Sequence, residues 1–309
     1  MVTTKIKIRR TKASDLTDCL KMVFATLNHL RKKSGMKAPK FKITGPDPLM
    51  VHMIKTDPEA TYVAVDGKGK IVGFTQALIR NDEWYLGWLY VDPKCQSSGV
   101  GKKLLKLAMD YGRKDGGIKR WALTTFAFNP QALAIYSKMG MTPQMPVMDM
   151  IREFAPDKSP APIAPRIKLK MEVVTSHKLI NRLTKLDVKV RGIARPEEHF
   201  FWLDNENHRL VAFYDGTHLV GYGVVTLTSR IGPIAAVKPE YVSSMLAQCI
   251  NYGIELGQPR QVVFANGENV EVVQMLLKAG FQIEEAALVM ASERFADADR
   301  YVPGHLAHY

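Results

Sequence analysis

Cysteine is scarce in this chain of 309 residues: there are three, Cys19, Cys95 and Cys249. They are odd in number and far apart. No disulfide framework and no metal-spaced ligand set is expected, and a reducing, cytoplasmic setting fits. No apolar run approaches the roughly 20 residues of a membrane helix, so no membrane partner is expected. Met1–Arg10 carries charge but no apolar stretch, which predicts no secretory signal. Two common phosphate-binding signatures are also missing. No Gly-Lys-Ser/Thr follows a four-residue spacer, and the third glycine of a dinucleotide fingerprint would fall on Leu104. There is no RNP-type aromatic motif and no long basic arm, which argues against nucleic acid.

What is present is charge of one sign in one place. The net charge is +13. Residues 1–155 hold 26 Lys/Arg against 13 Asp/Glu, whereas residues 156–309 hold 17 of each. An anionic partner, if the excess serves one, is expected in the first half. A protein that acts on nucleic acid or a tRNA-linked substrate, and one that binds an anionic cofactor without turnover, are the competing readings of that excess.

The length predicts two domains. Residues 155–168 (APDKSPAPIAPRIK) contain four prolines, which fix φ and remove donors, and predict a semi-rigid extended linker. The two sides of it repeat one another. Tyr62–Gly67 followed by Val72-Gly73-Phe74 matches Leu210–Gly216 followed by Val220-Gly221-Tyr222. Asn129, Lys138, Gly140 and Met141 match Asn269, Lys278, Gly280 and Phe281 at a constant offset of 140. A period this long indicates duplication of a whole domain rather than a solenoid. The expected division is therefore 1–154, a linker at 155–168, and 169–309.

The most specific chemistry lies at Gln96-Ser97-Ser98-Gly99-Val100-Gly101. An apolar strand (Leu86–Val91) precedes it and a helix with Leu104, Leu105, Ala108 and Met109 on one face follows. Successive N–H groups at a helix N-terminus point at an anion, and glycine lets the backbone turn towards it. Lys102, Lys103 and Lys106 in the first turns oppose the helix dipole, which suits phosphates nearby. A plain turn followed by a solvated lysine face is the alternative.

The run Leu89-Tyr90-Val91-Asp92-Pro93, the loop Gln96-x-x-Gly99-x-Gly101 and the later Asn129-x-x-Ala132-x-x-x-Tyr136-x-x-x-Gly140-Met141 together resemble the GNAT N-acetyltransferase superfamily. The resemblance covers about residues 5–154. It implies an α/β fold, in tandem here, with a mixed and splayed β-sheet flanked by helices and acetyl-CoA in the split. It further implies that Leu89, Tyr90 and Val91 pair with pantetheine through their backbone. Gln96, Ser97, Ser98, Gly99, Val100 and Gly101, with Lys102, would hold the pyrophosphate. Asn129 would touch the pantetheine arm, and Tyr136 would lie near the thioester sulfur as proton donor to the leaving thiolate. The implied reaction is direct attack of an amine on the thioester, the amine belonging to a small molecule or a peptide.

For the general base, Glu83 is the expectation from its place on the strand that leads to the loop, with Asp82 in reserve. His29 and His52 are lesser candidates. The run His29–Lys37 is basic; it reads either as a solvated helix end with cations placed for the dipole or as attraction for an acidic acceptor.

The second copy lacks these features. Pro93 to Tyr111 spans 18 positions, but Pro239 to the matching Tyr252 spans 13. The missing stretch is the phosphate loop, and Tyr136 is matched by Leu276. Residues 169–309 are expected to be a degenerate domain without acetyl-CoA. His199–Trp202 in this half reads as core packing or a cleft wall.

Overall fold

The computed structural model describes residues 6–40, 42–154 and 160–309. Residues 155–159 of the expected linker, Pro156 among them, lie outside that description, as do residues 1–5 at the start of the N-terminal run. The chain forms two compact units, Met1–Leu123 and Thr124–Tyr309.

In the first unit, β1 (Lys7–Arg10) leads to α1 (Leu16–Lys33) and α2 (Pro48–Thr56), then to β2 (Thr61–Val65), β3 (Ile71–Arg80) and β4 (Glu83–Val91). After α3 (Val100–Asp115) comes β5 (Arg120–Phe126), which runs across the division. The strand order β1-β2-β3-β4 is antiparallel throughout, and β5 joins β4 in parallel. Helices cover both faces. A Cβ on Gly73 of β3 would meet Leu104 of α3 at 2.9 Å, while Gln76, of opposite parity on the same strand, donates its Nε2 to Met50 O of α2 at 3.0 Å. Leu104, Ala108 and the other apolar residues of the α3 stripe are buried, each worth about 1–3 kcal/mol by area for the larger side chains.

The split in the sheet has a local cause. Parallel pairing of β4 with β5 extends from Glu83↔Arg120 to Leu86↔Leu123 and stops. At that point β4 contains an extra residue relative to β3: Ala77 faces Leu86 but Gln76 faces Trp88, so Gly87 is a bulge. A bulge bends its strand and ends regular pairing. Among the described residues, β4 has no partner strand on this side beyond Leu86.

The second unit begins with the end of β5, α4 (Pro130–Ser137) and β6 (Thr142–Glu153). It continues through β7 (Lys170–Val173), α5 (Ile180–Arg191), α6 (Pro196–Asp204), β8 (His208–Asp215), β9 (His218–Thr226) and β10 (Arg230–Ala236). Then follow α7 (Pro239–Glu255), β11 (Arg260–Asn266), α8 (Val270–Lys278), β12 (Gln282–Ala291) and β13 (Tyr301–Val302). The order β7-β8-β9-β10-β11 repeats that of β1 to β5, again with one parallel pair, Arg230↔Val262 and Ile231↔Val263. An extra residue in β10 just past Ile231 repeats the bulge of β4.

The division into units differs from the one expected from the prolines. β6, the last strand of the first half, lies between β12 and β11 and pairs with both. Antiparallel ladders running from Thr142 to Glu153 therefore tie β6 to strands of the second half. The proline segment is not a loose tether either. Ile163 exchanges hydrogen bonds with the Asn251 side chain (2.8 and 2.9 Å), and Ile167 N–H donates to Ser244 Oγ at 2.9 Å, both residues being on α7.

Tyr111-Gly112 is repeated as Tyr252-Gly253 in the second half, and packing accounts for the glycine. A Cβ on Gly112 would meet Trp84 at 2.6 Å and Trp121 at 2.8 Å, and one on Gly253 would meet Gln258 at 2.1 Å. In the first copy the helix crosses its sheet too closely for a side chain at this position; in the second, Gly253 leaves room for the Gln258 and Gln261 side chains. His199 and Trp202 are buried, with His199 Nε2 2.8 Å from Asp187 Oδ2, whereas Phe200 is exposed. Asp187 also holds Arg195 (2.8 Å) and Tyr222 (2.6 Å), so this cluster is core.

Candidate active site

β4 presents an unpaired edge. The Asp92 N–H donates to Val72 O at 2.9 Å, which makes Asp92 and Val72 a hydrogen-bonded pair. Alternation along an antiparallel ladder then gives Tyr90 to β3 and turns the backbone groups of Leu89 and Val91 away from it. The expected three-residue pairing surface is corrected to two: Tyr90 has its N–H and C=O engaged by β3. Val91 O accepts from Gln96 Nε2 at 3.2 Å.

The loop that follows is built to expose donors. Asp92 Oδ1 accepts the Lys94 N–H at 3.0 Å and Asp92 O accepts the Cys95 N–H at 2.7 Å, closing a tight turn. Burial raises the Asp92 carboxyl, but the Lys94 N–H and the Lys70 ammonium outweigh it and hold Asp92 below the usual carboxylate range. Ser98 Oγ donates to Cys95 O at 2.6 Å. Ser97 (φ +65°) and Gly99 (φ +79°) are left-handed, so the peptide planes between them turn to one side. α3 then starts with no side-chain cap and no acid in its first turn. Among the described residues, no acceptor meets the backbone N–H groups from Ser97 to Lys102. Gln96, Ser97, Ser98 and Gly99 are exposed. Orphan donors of this kind at a helix N-terminus suit an anion. Lys102 and Lys103 are exposed without an ion-pair partner among the described residues, whereas Lys106 is taken by Asp110 at 2.6 Å.

Glu83 is corrected. It is 2% exposed and its Oε2 lies 2.7 Å from Arg120 Nε. It sits at the first residue of β4, eight residues from Val91, roughly 27 Å along the strand. A buried carboxylate held by arginine at the far end of the strand supports the sheet and is not placed to take a proton from an acceptor. Asp82 is likewise tied to Lys119 at 3.1 Å. His29 is exposed and His52 is half-buried on α2.

Asn129 and Tyr136 belong to the second unit. Asn129 caps α4, its Oδ1 accepting the Ala132 N–H at 3.2 Å, and its Nδ2 meets no acceptor among the described residues. Tyr136 is buried, and its backbone oxygen accepts the Met141 N–H at 3.1 Å across the turn at Gly140. The second copy repeats these two bonds: Asn269 Oδ1 accepts the Val272 N–H at 3.1 Å, and Leu276 O accepts the Phe281 N–H at 3.0 Å.

The second copy differs in two respects. β10 passes to α7 through Val237 and Lys238 alone, with Pro239 in the first turn, so the loop of orphan donors is gone. The edge that β4 leaves open is filled in β10 by residues 298–302. β13 pairs Val302 with Ile234 and Tyr301 with Ala235. The Ala236 N–H donates to Arg300 O at 3.0 Å, Asn266 Nδ2 to Tyr301 O at 2.7 Å, and Asn269 Nδ2 to Ala298 O at 3.4 Å. Sequence reasoning missed this tenant, since a two-residue strand carries no periodic signal.

A bulged, splayed sheet with an open strand edge and a donor-rich loop at the following helix defines an acetyltransferase-type fold. The Acetyltransferase (GNAT) family matches residues 31–141, and a second Acetyltransferase (GNAT) domain matches residues 183–302. The chain belongs to the GNAT family of N-acetyltransferases, with two such domains in tandem. It is 29% identical over 113 residues to the uncharacterized N-acetyltransferase YjgM of Escherichia coli, a match covering 34% of this chain and 66% of that protein, just under two thirds. A putative acetyltransferase from Pyrococcus horikoshii shares the fold over 100% of this chain and 98% of its own (TM-score 0.75, 16% identity). A tandem GNAT protein from the clavulanic acid biosynthesis pathway does so over 95% and 99% (TM-score 0.57, 15% identity). Among the described residues, no helix is long and apolar enough to cross a membrane.

Proposed function

We propose that the chain transfers an acetyl group from acetyl-CoA to an amine by direct attack within a ternary complex, and that the first domain, residues 1–154, does so alone. The observation that carries this is the contrast between copies. The first keeps an open β4 edge and the orphan N–H groups of Ser97–Lys102; the second has lost the loop and fills the edge with its own residues 298–302. That arrangement supports a second domain, residues 169–309, that binds no cofactor.

In this reading, Gln96–Gly101 and Lys102 hold the pyrophosphate, and Leu89 and Val91 align pantetheine. Asn129 offers its free Nδ2. The Val91 N–H corresponds to that of Ala236, which already donates to a carbonyl oxygen, and it would steady the thioester oxygen as charge builds there. Tyr136 gives a proton to the departing thiolate. Neither Glu83 nor Asp82 serves as base, which leaves the proton of the amine to water or to the acceptor's own equilibrium. The same reading puts the protein in a reducing, cytoplasmic setting, in which Cys19, Cys95 and Cys249 stay as thiols. Thiol release from acetyl-CoA across a panel of amines tests the proposal. Release that depends on the amine supports it; binding without release would make the protein a sensor.

A further inference from the structure

The cations of the first unit fall into two groups. One group is neutralised: Arg9 by Asp15, Arg10 by Glu59, Lys21 by Asp18, Lys70 by Asp92, Arg80 by Asp57, Lys106 and Arg113 by Asp110, Lys119 by Asp82 and Arg120 by Glu83. The unpaired ones gather in two places. Lys94, Lys102 and Lys103 border the donor loop, where the proposed cofactor brings phosphates. Lys32, Lys33, Lys37, Lys40 and Lys42 lie at the end of α1 and in the connection to α2; all are exposed and none has a carboxylate within ion-pair distance among the described residues. Lys7, Lys12, Lys55, Lys68 and Lys114 are scattered singly.

The second cluster is folded together rather than strung out. Asn28 Nδ2 donates to Pro39 O at 2.8 Å, and the Met36 N–H donates to Arg31 O at 2.8 Å, so the connection doubles back along α1. Lys21, Phe24, Ala25, Asn28 and Ile43 line a hollow of about 370 Å3 between them. From Cys19 to Pro46 the sequence has no acid at all. A helix dipole accounts for cations in the last turn of α1 but not for three more lysines beyond it. Like charges gathered without counter-ions repel, and a ligand of opposite charge removes that cost.

Position narrows what the ligand is. α1 packs on β3 and β4, and α2 is pinned to Gln76, which lies opposite Trp88, next to the open edge at Leu89–Val91. α3, with Lys102 and Lys103, covers the other face of the sheet. We infer, building on the transferase reading above, that the acceptor amine itself carries negative charge, a carboxylate or a phosphate, and that Lys37, Lys40 and Lys42 with the end of α1 select for it.

The test compares matched amines with acetyl-CoA and the full chain: glutamate against glutamine for a carboxylate, phosphoserine against serine for a phosphate. The expected result is that at least one anionic member exceeds its neutral partner by about ten-fold or more in kcat/KM, and that this preference shrinks from 20 to 500 mM salt, as the Debye length falls from roughly 20 Å to roughly 4 Å. In the triple variant Lys37→Glu, Lys40→Glu, Lys42→Glu the ratio should fall towards one, mainly through KM of the anionic amine. Equal or greater turnover of the neutral members, or an unchanged ratio in the variant, overturns the inference while leaving the transferase reading intact. Absence of thiol release with every amine overturns both. Loss of single-stranded RNA binding in the variant with the amine ratio unaltered would assign the patch to nucleic acid instead, and also overturns it.

Discussion

The Ala236 N–H donates to the carbonyl oxygen of Arg300 at 3.0 Å. Its counterpart in the first copy is Val91, at the same place past the bulge and with the same orientation relative to its antiparallel neighbour. The second domain thus contains a protein-made picture of what β4 lacks: a chain segment lying along the strand, with a carbonyl on the last N–H and two asparagines reaching across. Residues 298–302 occupy in β10 the kind of position proposed for pantetheine on β4. Duplication followed by loss of the loop would leave an open edge, and an open edge is a liability that a covering segment removes.

Tyr136→Phe should lower kcat by about 100-fold, the usual scale for a positioned proton donor, with little change in KM for acetyl-CoA. Steady-state thiol release checks it. A rise in KM at constant kcat would give Tyr136 a packing role only.

Asn129 and Asn269 make the same cap but differ in their second bond. Replacing either with Ala should cost about 1 kcal/mol of stability, read by denaturant unfolding. Asn129→Ala should also weaken acetyl-CoA binding. Asn269→Ala should leave that affinity alone and increase hydrogen exchange at residues 298–302, whose carbonyls it helps to hold.

Asp149 on β6 predicts a pH dependence. Burial, reinforced by Glu284 and Glu285 and opposed by Arg230 and Arg260, pushes its carboxyl up to about 6, and its Oδ1 has no hydrogen-bond partner among the described residues. A folded-state value above the unfolded one favours the protonated form. The stability this lends is complete below about pH 4 and is lost as pH rises through about 6, on the order of 3 kcal/mol in all. Asp149→Asn should therefore raise Tm at pH 7.5 and change it little at pH 4. Equal shifts at both pH values would contradict the assignment.

Much of this was readable in the residues. The strand, the donor loop and α3 follow from apolar periodicity and from glycines, and the constant offset of 140 places the two asparagine caps. Local pattern could not reveal that β6 pairs with β11 and β12, because a strand's partner is set by the whole sheet. Pro143 and Pro146 also obscured its length, the strand starting at Thr142. Glu83 misled for a related reason. Its position on the right strand was visible, but the Arg120 that holds it comes from β5, 37 residues later. The two exposed backbones of β4, as against three, depend on which pair is hydrogen-bonded, and sequence carries no sign of that.

The central claim is that one copy binds acetyl-CoA and the other cannot. Isothermal titration of the full chain with acetyl-CoA tests it most directly, beside the variant Gly99→Glu, which puts a side chain at φ +79° and a negative charge among the orphan donors. The account predicts one site per chain and none in the variant. Two sites, or one site that survives Gly99→Glu, would contradict it.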